Sequence, residues 1–278
     1  MSARSASLFL ACALLAPLVP TRSSAAVASA SGFELHQRLP PSAIAHAPTV
    51  ALTLDACGGS FDDRIVRFLI ERRIAATIFA TGKWLARNPD GLRVLLEHRD
   101  LFEIEDHGAN HVPALIGAGR SVYGIAAEPD LAHLRAEVEA GASAIASATG
   151  VRPHWYRGAT AFYDEQALQG IAALGYRVAG FSLNADAGAT LTRDEVETRV
   201  RAARDGDVIL AHVNKPGSAA GAGLIDGLNA LCEPAVIGSS DSATPLLAPR
   251  SLPSSAIAQS GGETVCGRDR QRHARRLQ

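Results

Sequence analysis

Thr53-Leu54-Asp55-Ala56-Cys57-Gly58-Gly59 ends a short apolar run with a carboxylate, a thiol and two glycines. An apolar run of four to six residues closed by a polar turn has the length of a buried strand, and glycine gives such a turn its backbone freedom. From residue 48 onward the chain alternates runs of this kind with helical spacings. That alternation predicts strands joined by crossover helices around a largely parallel sheet, an α/β fold. Strands are expected at 49–54, 75–80, 101–104, 154–156, 176–181 and 207–211.

Between them, Ile65, Phe68 and Leu69 mark a helix over 62–73, and Leu92, Leu95 and Leu96 mark another over 84–97. The most regular helical stretch is 131–149, stopped by Gly150 and Pro153. Thr192 followed by Glu195 is a capping-box pattern, so a helix is expected over 192–203.

The 278 residues, 47% of them hydrophobic, suffice for one main domain. With 27 Lys+Arg against 28 Asp+Glu there is no surplus of positive charge to hold a nucleic acid or an anionic membrane surface. Near the N-terminus, Arg4 precedes an apolar run of about thirteen residues and a tail of small ones, the form of a signal peptide over 1–26. Cleavage is placed near Ala26, with Ala28 and Ala30 as alternatives. The run is shorter than the roughly 20 residues that span a bilayer, so no stable membrane insertion is expected and the protein should be exported, to the periplasm or the extracellular space. Cys57, Cys232 and Cys266 then remain, an odd number with no CxxC pair, which supports neither a disulfide framework nor a zinc finger. The segment 232–278 is rich in Ser, Pro, Gly and Arg without periodicity and is expected to be disordered.

Polar residues gather where the expected strands end, the rim at which α/β active sites collect. Asp55 is the first, although a lone Asp after a strand also serves as a turn or cap residue. Asp106-His107-Gly108-Ala109-Asn110-His111 follows the third strand, and two histidines four apart would share one face of a helix and suit a divalent metal; two exposed loop histidines are the plainer reading. His212 follows the apolar Val208-Ile209-Leu210-Ala211, where an imidazole can exchange a proton near neutral pH or be a satisfied core residue. Arg157 and Asp186 stand at analogous positions.

As an ordered series, TLDACGG, EIEDHGANH, HWYRGATAFYD, LNADAGA and VILAHVN resemble the motif pattern of the polysaccharide deacetylase (NodB-homology) family of carbohydrate esterases, from about Val50 to Leu231. The resemblance implies an irregular, partly open (β/α) barrel over 48–231 and a divalent metal, zinc by expectation. By motif position Asp55 is the general base and His107 and His111 are metal ligands. Arg157 orients the base, Asp186 partners the last histidine, and His212 is the general acid. The implied activity is de-N-acetylation of an N-acetylated sugar polymer, such as peptidoglycan or another N-acetylglucosamine polymer. A catalytically silent carbohydrate-binding relative and a hydrolase of small non-sugar amides are the alternatives.

The pattern has departures. The family's first motif reads TFDDG, and Ala56 stands where its metal-binding Asp should be. The third ligand must then come from elsewhere or be lost: Asp55 switching from base to ligand, Asp63 and Asp62 are the alternatives, and Asp62 is favoured against its plainer role as a helix N-cap. Gly108 replaces a Ser or Thr, Ala187 replaces an aromatic of the sugar groove, and the family's closing helix and strand give way to the tail. Cys57 is expected to be a bystander thiol, since nothing in its local sequence lowers its pKa.

Overall fold

The structure, a computed structural model, describes residues 32–40 and 49–232. The expected signal segment and the tail from 233 onward lie outside the described residues, while Cys232 is the last residue of a helix.

In chain order the elements are β1 (Phe33–Glu34), β2 (Ala51–Ala56), α1 (Asp63–Glu71), β3 (Ala76–Ala80), α2 (Gly82–Arg87), α3 (Pro89–Glu97), β4 (Phe102–Asp106), β5 (Ser121–Val122), β6 (Ile125–Ala126), α4 (Leu131–Thr149), β7 (Trp155–Tyr156), β8 (Phe162–Tyr163), α5 (Glu165–Ala173), β9 (Arg177–Val178), β10 (Leu183–Asn184), α6 (Arg193–Arg201), β11 (Val208–His212) and α7 (Ala219–Cys232). Seven strands form one curled sheet in the order β10-β11-β2-β3-β4-β7-β9, and every neighbouring pair is parallel. This is the mixed α/β, partly open half-barrel that the motif series implied. Among the described residues its two edge strands, β10 and β9, do not pair with each other; the 33–39 segment runs beside the link between them and the turn before β11, with Gln37 N donating to Phe181 O at 2.8 Å and Leu39 N to Gly206 O at 2.8 Å.

The pleat sorts β2 into two faces. Leu52, Leu54 and Ala56 pack into the outer core beneath α1, α6 and α7, together with Ile65, Leu69, Val196 and Leu228. Thr53 and Asp55 face inward, where the buried Arg157 reaches both. A second core, with Leu134, Val138, Tyr156, Tyr163 and Leu210, lies beneath α4 and α5.

Cap chemistry explains the helix boundaries. Asp62 caps α1, Asp130 accepts from the amides of Ala132 and His133 at the start of α4, and Gly150 ends α4 in the left-handed region at φ 79°. Thr192 and Glu195 close a reciprocal capping box on α6. The single helix expected over 84–97 is two, because Pro89 has no amide to continue α2 and starts α3 at its first turn instead.

Glu105 on β4 accepts from the amides of His154 and Trp155 at 2.8 Å each, which fixes the entry into β7. Burial pushes its pKa up to about 7, against the opposing pull of the Trp155 amide and with help from Glu103. The unfolded chain releases this proton near 4.5 and the folded chain near 7, so the associated stability is complete below 4.5 and declines as pH rises to 7. Glu105→Gln keeps an oxygen for the two amides and should remove roughly 2–3 kcal/mol of the decline between about pH 5 and 7.5, read by urea unfolding. An unchanged decline would refute this account of Glu105.

Candidate active site

Parallel pairing in this register brings five strand ends to one level. His212 pairs with Asp55, Ala56 with Ala80, Ala80 with Asp106, and Asp106 with Tyr156. The residues at or just past these ends therefore face each other across the mouth of the half-barrel, which is why motifs so far apart in sequence meet.

Arg157 is fully buried and donates from Nη1 to Thr53 Oγ1 and Asp55 Oδ1, both at 2.9 Å, and from Nη2 to Gly180 O at 3.0 Å. Its guanidinium carbon lies 4.2 Å from the centre of the Phe79 ring, a planar cation held over a π face. Burial alone would raise the pKa of Asp55, but Arg157, then His107 and His212, draw it below the ordinary carboxylate value. Asp55 is thus an ionised carboxylate with one oxygen held by Arg157 and the other, Oδ2, 3.7 Å from His107 Nε2.

His107 and His111 meet, though not on a helix. The segment is a loop, and His111 takes the left-handed backbone conformation at φ 66°. Their ring centres are 5.0 Å apart. Nδ1 of His107 is 2.6 Å from the carbonyl oxygen of Arg157, so that nitrogen donates and Nε2 is left to face Cys57 Sγ at 3.6 Å. The loop can lie this close to α4 because Gly141 has no side chain; a Cβ there would collide with Asp106 Oδ1 and with Gly108.

Two expectations are corrected here. Asp62 does not join the histidines: its carboxylate caps α1 and pairs with Arg64 at 2.8 Å, packed over Gly221 of α7. Cys57 is not a bystander. Its sulfur and one nitrogen each of His107 and His111 lie within 4.8 Å of one another, and among the described residues this is the one such group of His, Cys, Asp and Glu. Burial would raise the thiol pKa, but His107, His111 and His212 hold it well below the usual value. Strand alternation carried the signal that was missed: after Thr53 and Asp55, the next residue on the inner face is 57, while Ala56 turns into the outer core.

The donor set fits a divalent metal. One thiolate and two imidazoles are zinc-type ligands, three in number as in sites that keep a coordination position free, and the Arg157 carbonyl fixes the His107 tautomer as such sites require.

His212 faces the same space. Asp186 accepts from its Nδ1 at 2.8 Å and, through the other oxygen, from its backbone amide at 2.7 Å. Burial would lower the imidazole pKa, but the Asp186 carboxylate, with a contribution from Cys57, raises it well above the ordinary value. Asp55, Cys57, His111 and His212 all line one cavity of about 460 Å³, with Ala187, Asn214 and Lys215 also in its wall. Asn214 closes the VILAHVN motif, where no role was assigned to it; it approaches Gly59 so closely that a Cβ on that glycine would strike its carbonyl oxygen.

Residues 43–179 match the family model described as polysaccharide deacetylase. No curated protein matches the chain. Among solved structures, BA3943, a CE4 family pseudoenzyme from Bacillus anthracis, is 18% identical with a TM-score of 0.52, covering 66% of this chain and 60% of its own. A mutant of that protein is described as a pseudoenzyme with restored enzymatic activity. The family 4 carbohydrate esterase from Streptomyces lividans, in complex with acetate, is 20% identical with a TM-score of 0.51, covering 66% of this chain and 88% of its own. The Bc1960 peptidoglycan N-acetylglucosamine deacetylase is 19% identical with a TM-score of 0.54, covering 66% and 79%. At these identities the likeness is one of fold, and this chain spans about 60% of the length of the B. anthracis protein.

Proposed function

This chain carries a polysaccharide deacetylase domain of the NodB-homology type, and from that premise we propose that it is an exported, zinc-dependent hydrolase that removes acetyl groups from an N-acetylated sugar polymer. The carrying observation is that the Cys57, His107 and His111 cluster, the Asp55–Arg157 pair and the His212–Asp186 pair open onto one cavity. Peptidoglycan and other N-acetylglucosamine polymers are the substrate class. The composition of 1–26 supports export, and the domain is assigned to 48–231.

In this mechanism a divalent metal held by Cys57, His107 and His111 would act as a Lewis acid toward water and the acetamide oxygen. Asp55, kept ionised by Arg157, accepts a proton from water as its oxygen bonds to the carbonyl carbon. Arg157 acts as a positioning residue, since its Nη1 holds one Asp55 oxygen while Nη2 is anchored on Gly180 O, and the other Asp55 oxygen is left toward the site. When the carbon–nitrogen bond breaks, His212 gives its proton to the departing nitrogen, and acetate and a free amine result. Asp186 keeps His212 protonated and turned toward the cavity.

The purified protein is expected to hold about one metal ion per chain and to release acetate from an N-acetylglucosamine oligomer, with release lost on chelation and restored by zinc. Absence of metal with retained glycan binding would replace this reading with that of a silent relative. Metal-dependent turnover of small amides alone would make it a hydrolase of non-sugar substrates.

A further inference from the structure

β5 and β6 form a hairpin with a two-residue turn, Tyr123-Gly124, and both turn residues have positive φ, 50° and 79°. Such turns favour Asn-Gly because a residue with a bulky side chain is strained in the left-handed region. Tyrosine is therefore a costly choice, and packing does not compensate for it. Tyr123 is 78% exposed, while the other large hydrophobic residues exposed among those described reach 43%, 41% and 57%. Even so, it is not directed at random. Its hydroxyl lies 3.5 Å from Glu34 Oε1 on β1, and Tyr123 and Ile125 both line the cavity that holds Asp55, Cys57 and His212.

That cavity has the surface a pyranose unit needs. Ile125, Phe181 and Leu210 give it an apolar wall, and Asn214, a lining residue that is 5% exposed, has an Oδ1 with no hydrogen-bond partner among the described residues. A sugar ring offers an apolar C–H face to an aromatic plane and hydroxyls to the polar groups around it. Ala187 in the same wall is too small to supply such a plane.

We propose that Tyr123 is the stacking platform for a sugar unit of the polymer adjoining the one that is deacetylated, so that the β5–β6 hairpin sets the preference for oligomers over single sugars. This rests on the deacetylase reading and adds to it the element that recognises chain length. Strain at Tyr123 is then a consequence of holding an aromatic ring out over the mouth of the site, consistent with the concentration of strained backbone at ligand-binding positions.

The test compares the zinc-loaded wild type with Tyr123→Ala and Tyr123→Trp, using N-acetylglucosamine and its pentamer, with affinity from calorimetry and turnover from acetate release. Tyr123→Ala should weaken the pentamer about tenfold in Kd and KM and shrink the preference for pentamer over monomer by the same factor, while Tyr123→Trp should keep both. Pentamer affinity and preference unchanged in Tyr123→Ala, with the wild type turning over, would overturn the platform and leave the deacetylase reading intact. Pentamer affinity that depends on Tyr123 in a protein that releases no acetate would sustain the platform and overturn the deacetylase reading. A wild type that neither binds nor hydrolyses the pentamer would overturn both.

Discussion

Cys57→Ser is expected to lose divalent metal by about 10²-fold or more in affinity, beyond the ten- to hundredfold that follows from removing a group that merely orients a ligand. The sulfur shares its corner with His107 and His111, and three histidines hold the thiol pKa well below its usual value, which favours the thiolate that a metal takes as ligand. Serine is similar in size but stays protonated and is a poor ligand. Loading the protein with cobalt makes the ligand visible without reference to activity: a thiolate bound to cobalt gives an intense near-ultraviolet charge-transfer band, and two imidazoles alone do not. That band should be present in the wild type and absent in Cys57→Ser and Cys57→Asp. Cys57→Asp should nevertheless keep part of the metal affinity, since a carboxylate can occupy the same position. A wild-type cobalt spectrum without the band, alongside bound metal, would remove Cys57 from the site.

A thiolate in this position also changes which metals compete. Sulfur is a soft donor and favours zinc over magnesium or calcium, whose sites are built from oxygen. A cysteine corner therefore narrows the range of metals compared with an all-oxygen and imidazole set, and exposes the site to loss of the metal when the sulfur is oxidised.

Why this corner was hard to find in the sequence is a matter of geometry. Placing residues by motif position put the lost ligand at Ala56 and sent the search along the chain to Asp62, whose carboxylate is committed to Arg64 and the start of α1. Counting by the pleat of the strand points instead to residue 57, two beyond Asp55 on the same face. The other rim residues were legible because parallel strands of similar length end at one level, so a polar residue after each apolar run is enough to place it. α4 was legible to the residue because Asp130 and Gly150 mark both ends. α7 was not, since glycines 221, 223 and 227 blur its pattern. Gly223 and Gly227 let α7 lie against α6, since a Cβ on the first would meet the Arg193 carbonyl and one on the second Val200, while Gly221 makes room for Asp62 and Arg64 at the start of α1. Of the seven two-residue strands among the described residues, β7 and β9 lie within the expected runs 154–156 and 176–181, whereas β1, β5, β6, β8 and β10 are too short to leave a period of their own.

His212→Ala should lower turnover by about 10² to 10⁴-fold, the usual worth of a positioned general acid, while metal content stays at the wild-type level. The distinction rests on the side chain's partners. Its Nδ1 is committed to Asp186, and the Cys57, His107 and His111 group does not include it. Because its folded pKa is raised, the imidazolium persists as pH climbs past the ordinary histidine value, and the proton needed by the leaving amine is lost only as pH passes the raised one. Turnover should therefore hold through neutral pH and fall on the alkaline side. Asp186→Asn removes the carboxylate that sustains this proton, so its alkaline fall should begin at lower pH than in the wild type, with less change in turnover at acidic pH. A merely structural role for Asp186 would lower turnover at every pH and leave the position of the fall unmoved. If His212→Ala instead stripped the metal, the imidazole would be a ligand and the proton donor would have to be sought elsewhere in the cavity.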